Sequence, residues 1–273
     1  MGEKGAWPLF NTMKTIAISG KGGTGKTTLA ALIIRWLSKH GAKPILAVDA
    51  DANVNLNDLL GVELRDTIGT IREEMRSMTK KSVGGMTKQQ FLEYKIQASL
   101  AERPDYDLIA MGRPEGPGCY CYANNLLRDI LNTLSANYKY VVIDNQAGME
   151  HLSRQTSQDI DYLLIISDPS VRGIRAAGKI SRLIEELDTR VQEKQIILNR
   201  IQESIPDQVR NTIKDEGLKL LHSIPDDSKI TELDQRGNTI NCIPDDSPSY
   251  KAVGRLLTRL LRFKVTRKVT NDF

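Results

Sequence analysis

Residues 18–30, ISGKGGTGKTTLA, restrict the possible folds of this chain more than any other stretch. An apolar, β-branched run, KTIAIS at 14–19, leads into it, and a helical pattern over 25–39 leads out. The stretch matches G-x-x-x-x-G-K-[ST] through Gly20, Gly25, Lys26 and Thr27. Glycines let backbone N–H groups converge on phosphate oxygens, and the helix N-terminus adds its dipole. Lys26 neutralises charge and the Thr27 hydroxyl can ligate Mg²⁺. The motif therefore reads as a phosphate-binding loop, with Gly22, Gly23, Thr24 and Thr28 completing the nucleotide-binding set. Such a chain starts with a strand, a tight loop and a helix in immediate succession.

Six further apolar runs follow: PILAVD (44–49), DYDLIAM (105–111), KYVVID (139–144), DYLLIIS (161–167), KQIILN (194–199) and LKLLHSIP (218–225). They are continuously apolar, as parallel strands covered on both faces are. Helical patterns at 123–136, 170–186 and 248–262 make right-handed βαβ units the economical topology. The expected fold class is α/β, a single doubly wound, mostly parallel sheet with helices on both faces. Residues 62–104, polar and rich in Lys, Met and Gly, are expected to lay helices over one side of it.

Composition narrows the function classes. The chain has 273 residues, 40% hydrophobic and 26% charged, which suits one large domain. A net charge of +4, with no Lys/Arg block interleaved with aromatics, speaks against nucleic acid as a partner. No apolar run reaches membrane-spanning length and MGEKGAWPLFNT lacks the layout of a secretory signal, so a cytoplasmic location is expected. Three cysteines argue against a disulfide scaffold, and in a reducing compartment a close pair points to metal or redox chemistry. Cys242, in the apolar context TINCIPDD, is expected to be a buried structural thiol.

A second lysine in the loop, Lys21, makes GKGGTGKT resemble the deviant Walker A motif of the ATPases related to nitrogenase iron protein, MinD and ParA. The resemblance reaches most of the chain. It implies a P-loop ATPase that forms a homodimer around ATP, with Lys21 crossing to the partner's bound phosphates. VDADANVNL (48–56) resembles switch I, and VVIDNQAGMEHLSR (141–154) resembles a Walker B strand running into switch II. Asp51 is the candidate for positioning the attacking water, beside Lys21 and Lys26 as the other catalytic candidates. Asp144 is the candidate for Mg²⁺ through water, and Asp49 either stands in the metal's second shell or caps the loop after its strand. Carboxylates suit these roles because hard Mg²⁺ prefers oxygen ligands. IILNRI places Asn199 and Arg200 at one strand end, and SIPDD places Pro225 and Asp226 after the next; both resemble the family's adenine-contacting loops. No N-K-x-D signature for guanine is present, which favours ATP, with ADP as product, over GTP.

The segment GRPEGPGCYCYANNLLR (112–128), together with DNQAGMEHLSR, resembles the CooC-type maturation ATPases of CO dehydrogenase. Two thiolates one residue apart, Cys119 and Cys121, cannot by themselves close a tetrahedral site. Two copies related by a two-fold axis would supply four thiolates. Soft thiolates accept Zn²⁺ or Ni²⁺, and the resemblance implies Ni²⁺, delivered to CO dehydrogenase or the related acetyl-CoA synthase. A bridging iron–sulfur cluster is the alternative at the same thiols, and His151 is expected to serve the switch loop.

A different class of function remains open in YKAVGRLLTRLLRFKVTRK (250–268). Val253, Leu256, Leu257, Leu260 and Leu261 form one apolar stripe, with Arg255, Arg259 and Arg262 along the other side. The pattern fits a MinD-type anchor for membrane positioning or a terminal helix packed on the sheet, and no membrane partner is expected. The domain division is an N-terminal extension at 1–12, an ATPase domain at 13–262 with its C-x-C loop near 112–124, and a tail at 263–273.

Overall fold

The computed structural model describes residues 13–77, 87–113, 134, 137–146, 159–186 and 190–261. Its strands lie where the apolar runs are: β1 (Lys14–Gly20), β2 (Ile45–Ala50), β4 (Tyr106–Ala110), β5 (Tyr140–Asn145), β6 (Asp159–Ser167), β7 (Arg190–Ile201) and β8 (Leu220–Pro225). A two-residue strand, β3 (Ala101–Glu102), adds an antiparallel edge against β4 that is too short to leave a pattern in the sequence. The sheet order is β3-β4-β2-β5-β1-β6-β7-β8, and every pairing other than β3 with β4 is parallel.

Period-two geometry sends successive residues of each strand to opposite faces. Ile16, Ile18, Leu164 and Ile166 enter one core, whereas Ala17, Leu163 and Ile165 enter the other. On the first face lie α1 (Lys26–Lys39), α2 (Leu56–Leu60), α7 (Ser228–Arg236) and α8 (Pro248–Leu261). On the second lie α3 (Ile68–Ser77), α5 (Val171–Glu186) and α6 (Asp207–Asp215). The segment expected to be helical near 62–104 contains α3 and α4 (Lys88–Ser99), and α4 starts at a capping box formed by Thr87 and Gln90. Helices α6 and α7 carry no apolar run long enough to stand out; Val209, Ile213 and Leu233 are their buried anchors.

The order of strands explains where a ligand can bind. From β1 the chain moves one way to β2 and β4, and later the other way through β6, β7 and β8. Beside β1 the direction of travel reverses, and at such a switch point the loops leaving adjacent strand ends diverge and open a crevice. The β1–α1 loop sits in that crevice.

Two sequence expectations are settled differently by the packing. Cys242 is exposed: it closes a short 3₁₀ turn, Ile240–Cys242, in which Ile240 and the following Ile243 take the buried positions and turn the thiol outward. The apolar stripe of α8 belongs to the core, with Val253, Leu256 and Leu257 fully buried against α1 and β8, and Leu261 partly buried on the same cluster. Arg255 and Arg259 face outward, and Arg262 lies outside the described residues. The stripe of α8 is therefore not a free membrane-binding face, and no helix among the described residues is long and apolar enough to cross a membrane. Replacing Leu257 by Ala should lower the unfolding free energy by about 2–5 kcal/mol in urea titrations, because a cavity is added to the lost transfer energy. Arg255→Ala, on the outer face, should change it by no more than about 0.5 kcal/mol.

Candidate functional site

Glycine is required at two points of the β1–α1 turn. At Gly20 (φ +155°) a Cβ would lie 2.3 Å from the Ile166 carbonyl oxygen of β6, and at Gly25 (φ +94°) a Cβ would lie 2.6 Å from Asn199 Nδ2. Close backbone approach and left-handed geometry exclude larger residues at both. The loop is closed internally on one acceptor, the Lys21 carbonyl oxygen, which receives the Thr24 hydroxyl at 2.8 Å and the Lys26 ammonium at 3.3 Å. Burial pulls the Lys26 pKa down while the charges of Asp144 and Asp51 oppose that shift, so its ammonium is enclosed next to carboxylates. Lys21, Gly22 and Gly23 are exposed on the rim.

The aspartates come from the neighbouring strand ends. Asp49 of β2 stands in register with Asp144 of β5, and Asp144 with Ile18 of β1, so both carboxylates lie beside the loop on the face that α1 covers. Asp49 accepts the backbone amides of Asp51 at 3.0 Å, Asn55 at 2.8 Å and Leu56 at 2.9 Å, which caps the loop after β2. Burial pushes the Asp49 carboxyl up and those amides oppose it. Asp51, half-buried, accepts from the Asn53 amide at 2.9 Å and stands at the head of this loop. Burial pushes Asp144 up to about 7 despite a hydrogen bond from Thr27. Its Oδ1 has no partner among the described residues. A buried, incompletely satisfied carboxylate joined to a threonine hydroxyl at a phosphate loop is a hard-oxygen donor set that fits Mg²⁺. Asn145, unremarked in the sequence, laces the strands below: its Nδ2 donates to the Ile18 carbonyl at 2.9 Å.

Beyond the loop lies a cavity of about 400 Å³ lined by Gly25, Thr28, Asn199, Arg200, Pro225 and Asp226. The strand ends of β7 and β8 thus bring the proposed adenine contacts to the phosphate loop. Asn199 Nδ2 donates to the Thr24 carbonyl at 2.9 Å, and Arg200 takes a left-handed φ of +58° that turns the chain at the cavity's edge. Thr231, Asp234 and Gln235 of α7 also line the cavity and were not legible, because α7 itself had no strong apolar pattern. Asp227 fastens the floor, accepting the hydroxyls of Ser247 at 2.5 Å and Ser249 at 2.7 Å. Burial works against its ionisation, but these hydroxyls and two backbone amides outweigh that and hold its carboxyl below the usual range.

Cys119, Cys121 and His151 lie outside the described residues. Just after β4, the Met111 amide donates to the Asp49 carbonyl of β2 at 2.7 Å.

Comparison with known proteins agrees with this geometry. A model of the CobQ/CobB/MinD/ParA nucleotide binding domain matches residues 15–240. An uncharacterized ATP-binding protein of Methanocaldococcus jannaschii is 44% identical over 76% of this chain and 82% of its own length. The carbon monoxide dehydrogenase accessory protein CooC of Rhodospirillum rubrum is 31% identical over 63% of this chain and 69% of its own. Among solved structures, the septum site-determining protein MinD of Pyrococcus horikoshii, complexed with Mg-ADP, superposes with a TM-score of 0.65 at 20% identity, covering 91% of this chain and 96% of that one.

The buried carboxylates imply a pH dependence. Between the ordinary carboxylate value of 3.8 and about 7, folded Asp144 holds a proton that the unfolded chain has released. Stability of the nucleotide-free protein should therefore fall as pH rises through that window, with Asp49 acting in the same direction. Asp144→Asn should flatten that slope and be more stable than the wild type at about pH 8 by on the order of a few kcal/mol. Urea unfolding at about pH 5 and about pH 8 without Mg²⁺ checks this; an unchanged slope would show that Asp144 is ionised in the folded state.

Proposed function

Because the chain belongs to the CobQ/CobB/MinD/ParA family of nucleotide-binding ATPases, we propose that its ATPase cycle drives insertion of nickel into a CO dehydrogenase or the related acetyl-CoA synthase. In this reading Lys26 and the loop amides hold the phosphates, Thr27 and Asp144 serve Mg²⁺, and Asp51 orients the water that attacks the terminal phosphate. Mg²⁺ would neutralise charge developing on the phosphate oxygens. Asn199, Arg200, Pro225 and Asp226 hold the adenine. Asp49 acts through the backbone of switch I, which it clamps.

Nickel is the cargo. Cys119 and Cys121 from two subunits supply four thiolates, and Zn²⁺ competes for the same site. ATP closes the dimer with Lys21 reaching the partner's phosphates; hydrolysis loosens it and alters the spacing of the thiolates. The observation that carries this reading is the phosphate loop with the buried Asp144 beside it, in a chain 31% identical to a carbon monoxide dehydrogenase accessory protein. Just after β4 the Met111 amide continues the β2–β4 ladder onto the Asp49 carbonyl, so the described chain before the thiol-bearing segment ends next to the strand that carries Asp49. Likeness to the Rhodospirillum rubrum accessory protein supports the same client class.

Metal binding tests the reading. Titration with Ni²⁺ or Zn²⁺ under native mass detection should give one metal per two chains and a shift toward dimer. Cys119→Ser with Cys121→Ser should abolish both while ATP binding persists. One metal per monomer that survives this double change would overturn the shared site, and iron with sulfide in the purified dimer would establish a bridging cluster instead.

The lysines should separate kinetically. Lys26→Ala should lose nucleotide binding, since it removes the enclosed phosphate ligand. Lys21→Ala should keep ATP binding but lose hydrolysis and ATP-dependent dimerisation, measured by light scattering and phosphate release. Normal turnover in Lys21→Ala would exclude action across the dimer.

A further inference from the structure

The far end of α1, remote from the phosphate loop, carries a second cavity. It has a volume of about 660 Å³, within the range that small ligands occupy. Its walls are the last turn of α1 and one face of α8, which contribute Lys39, Lys251, Arg255 and Arg259. Against these four cations stands one lining carboxylate, Asp245, already engaged by Lys39 at 2.6 Å and by Arg35 at 2.9 Å. Its charge is spent on that pair, so the remaining cations give the cavity a positive potential. Burial, and then the charges of Arg255 and Arg259, hold the nearby His222 pKa down, as expected where cations converge.

Two other features make this more than a solvated charged face. Trp36 and His40 stack at the cavity with ring centroids 3.9 Å apart and planes 17° from parallel, and His40 is exposed on the outer side of the stack. The stack is fixed from behind, since a Cβ on Gly254 of α8 would lie 2.8 Å from Trp36 Nε1. Tyr250, 6% exposed, lines the cavity with a hydroxyl that has no partner among the described residues. The Arg35 guanidinium, which does not itself line the cavity, lies over the Tyr250 ring at 4.4 Å, and its Nε and Nη1 lack partners among those residues. Buried donors left unsatisfied in this way are costly unless something accepts from them.

We propose that the groove between the C-terminal turn of α1 and α8 binds a soluble, phosphate-bearing small molecule. Its phosphates engage Lys251, Arg255 and Arg259, and the Trp36–His40 stack bounds the cavity beside them. Phosphate fits because it accepts several charge-assisted hydrogen bonds at once from lysine and arginine. The site is distinct from the phosphate loop: Lys26 and Lys39 stand at opposite ends of α1, about 20 Å apart at helical rise. Both sites can be filled together, and one rigid helix joins them.

Tripolyphosphate is the probe, titrated calorimetrically into full-length protein saturated with Mg-ADP, and separately into the Lys26→Ala protein. One equivalent per chain should bind in both, because neither condition leaves the phosphate loop responsible. Lys251→Glu with Arg255→Glu should weaken this binding at least tenfold while ATP affinity stays within twofold, since both side chains are exposed and away from the nucleotide. In a Trp7→Phe background the fluorescence of Trp36 should change on binding. Loss of tripolyphosphate binding in Lys26→Ala, or indifference to the two charge reversals, would overturn the site. Charge-dependent cosedimentation with phosphatidylglycerol vesicles, in protein that fails to bind tripolyphosphate, would overturn the soluble ligand in favour of a lipid headgroup.

Discussion

The turn from β1 into α1 is the constraint on which the rest of the molecule depends. Its backbone passes so close to β6 that Gly20 has no room for a side chain, and so close to β7 that Gly25 has none either. Those approaches require β6 and β7 to lie on one side of β1, with β5 and β2 on the other, bringing Asp144 and Asp49 alongside. A nucleotide site built this way is a property of five strand ends at once. The core beneath them is correspondingly stiff, because β1, β2 and β5 are buried along nearly their whole length.

Carboxylates around the loop are held in different ways, which gives them different chemistry. Asp49 is committed to three backbone amides, so it shapes the turn after β2. Asp144 has a threonine hydroxyl on one side and an unsatisfied oxygen on the other, and its burial, which that hydroxyl only partly opposes, favours the neutral acid until a cation arrives. Asp227 is satisfied by hydroxyls and amides and remains an anion, tying α7 and α8 to the end of β8. Burial is common to all three; the number and kind of donors decide which is structural and which is available to a ligand.

Helix α8 shows how the same sequence pattern changes meaning with packing. An apolar stripe backed by arginines is compatible with a membrane surface, yet here the stripe is the lid of the core against α1 and β8. Once the leucines are buried, the outward arginines become one wall of a cationic groove with the last turn of α1. The charge that suggested a lipid partner is thereby concentrated at a concave site.

Sequence alone determined the phosphate loop, the seven longer strands and the parallel, two-faced character of the sheet, because these rest on local requirements: glycines at a strained turn, continuous apolar runs, a helix starting at a fixed offset. It also singled out Asp49, Asp144, Asn199 and Pro225, because strand ends with readable limits resemble the switch, Walker B and adenine-contacting segments of the family. Tertiary structure alone decided that Asn199 bonds the loop carbonyl of Thr24, 175 positions away in sequence. It likewise decided that α7 completes the cavity wall, that Cys242 faces solvent and that the α8 stripe faces inward. Those outcomes depend on which surfaces meet across the sheet, and residues far apart in the chain acquire that information only when the strands take their order.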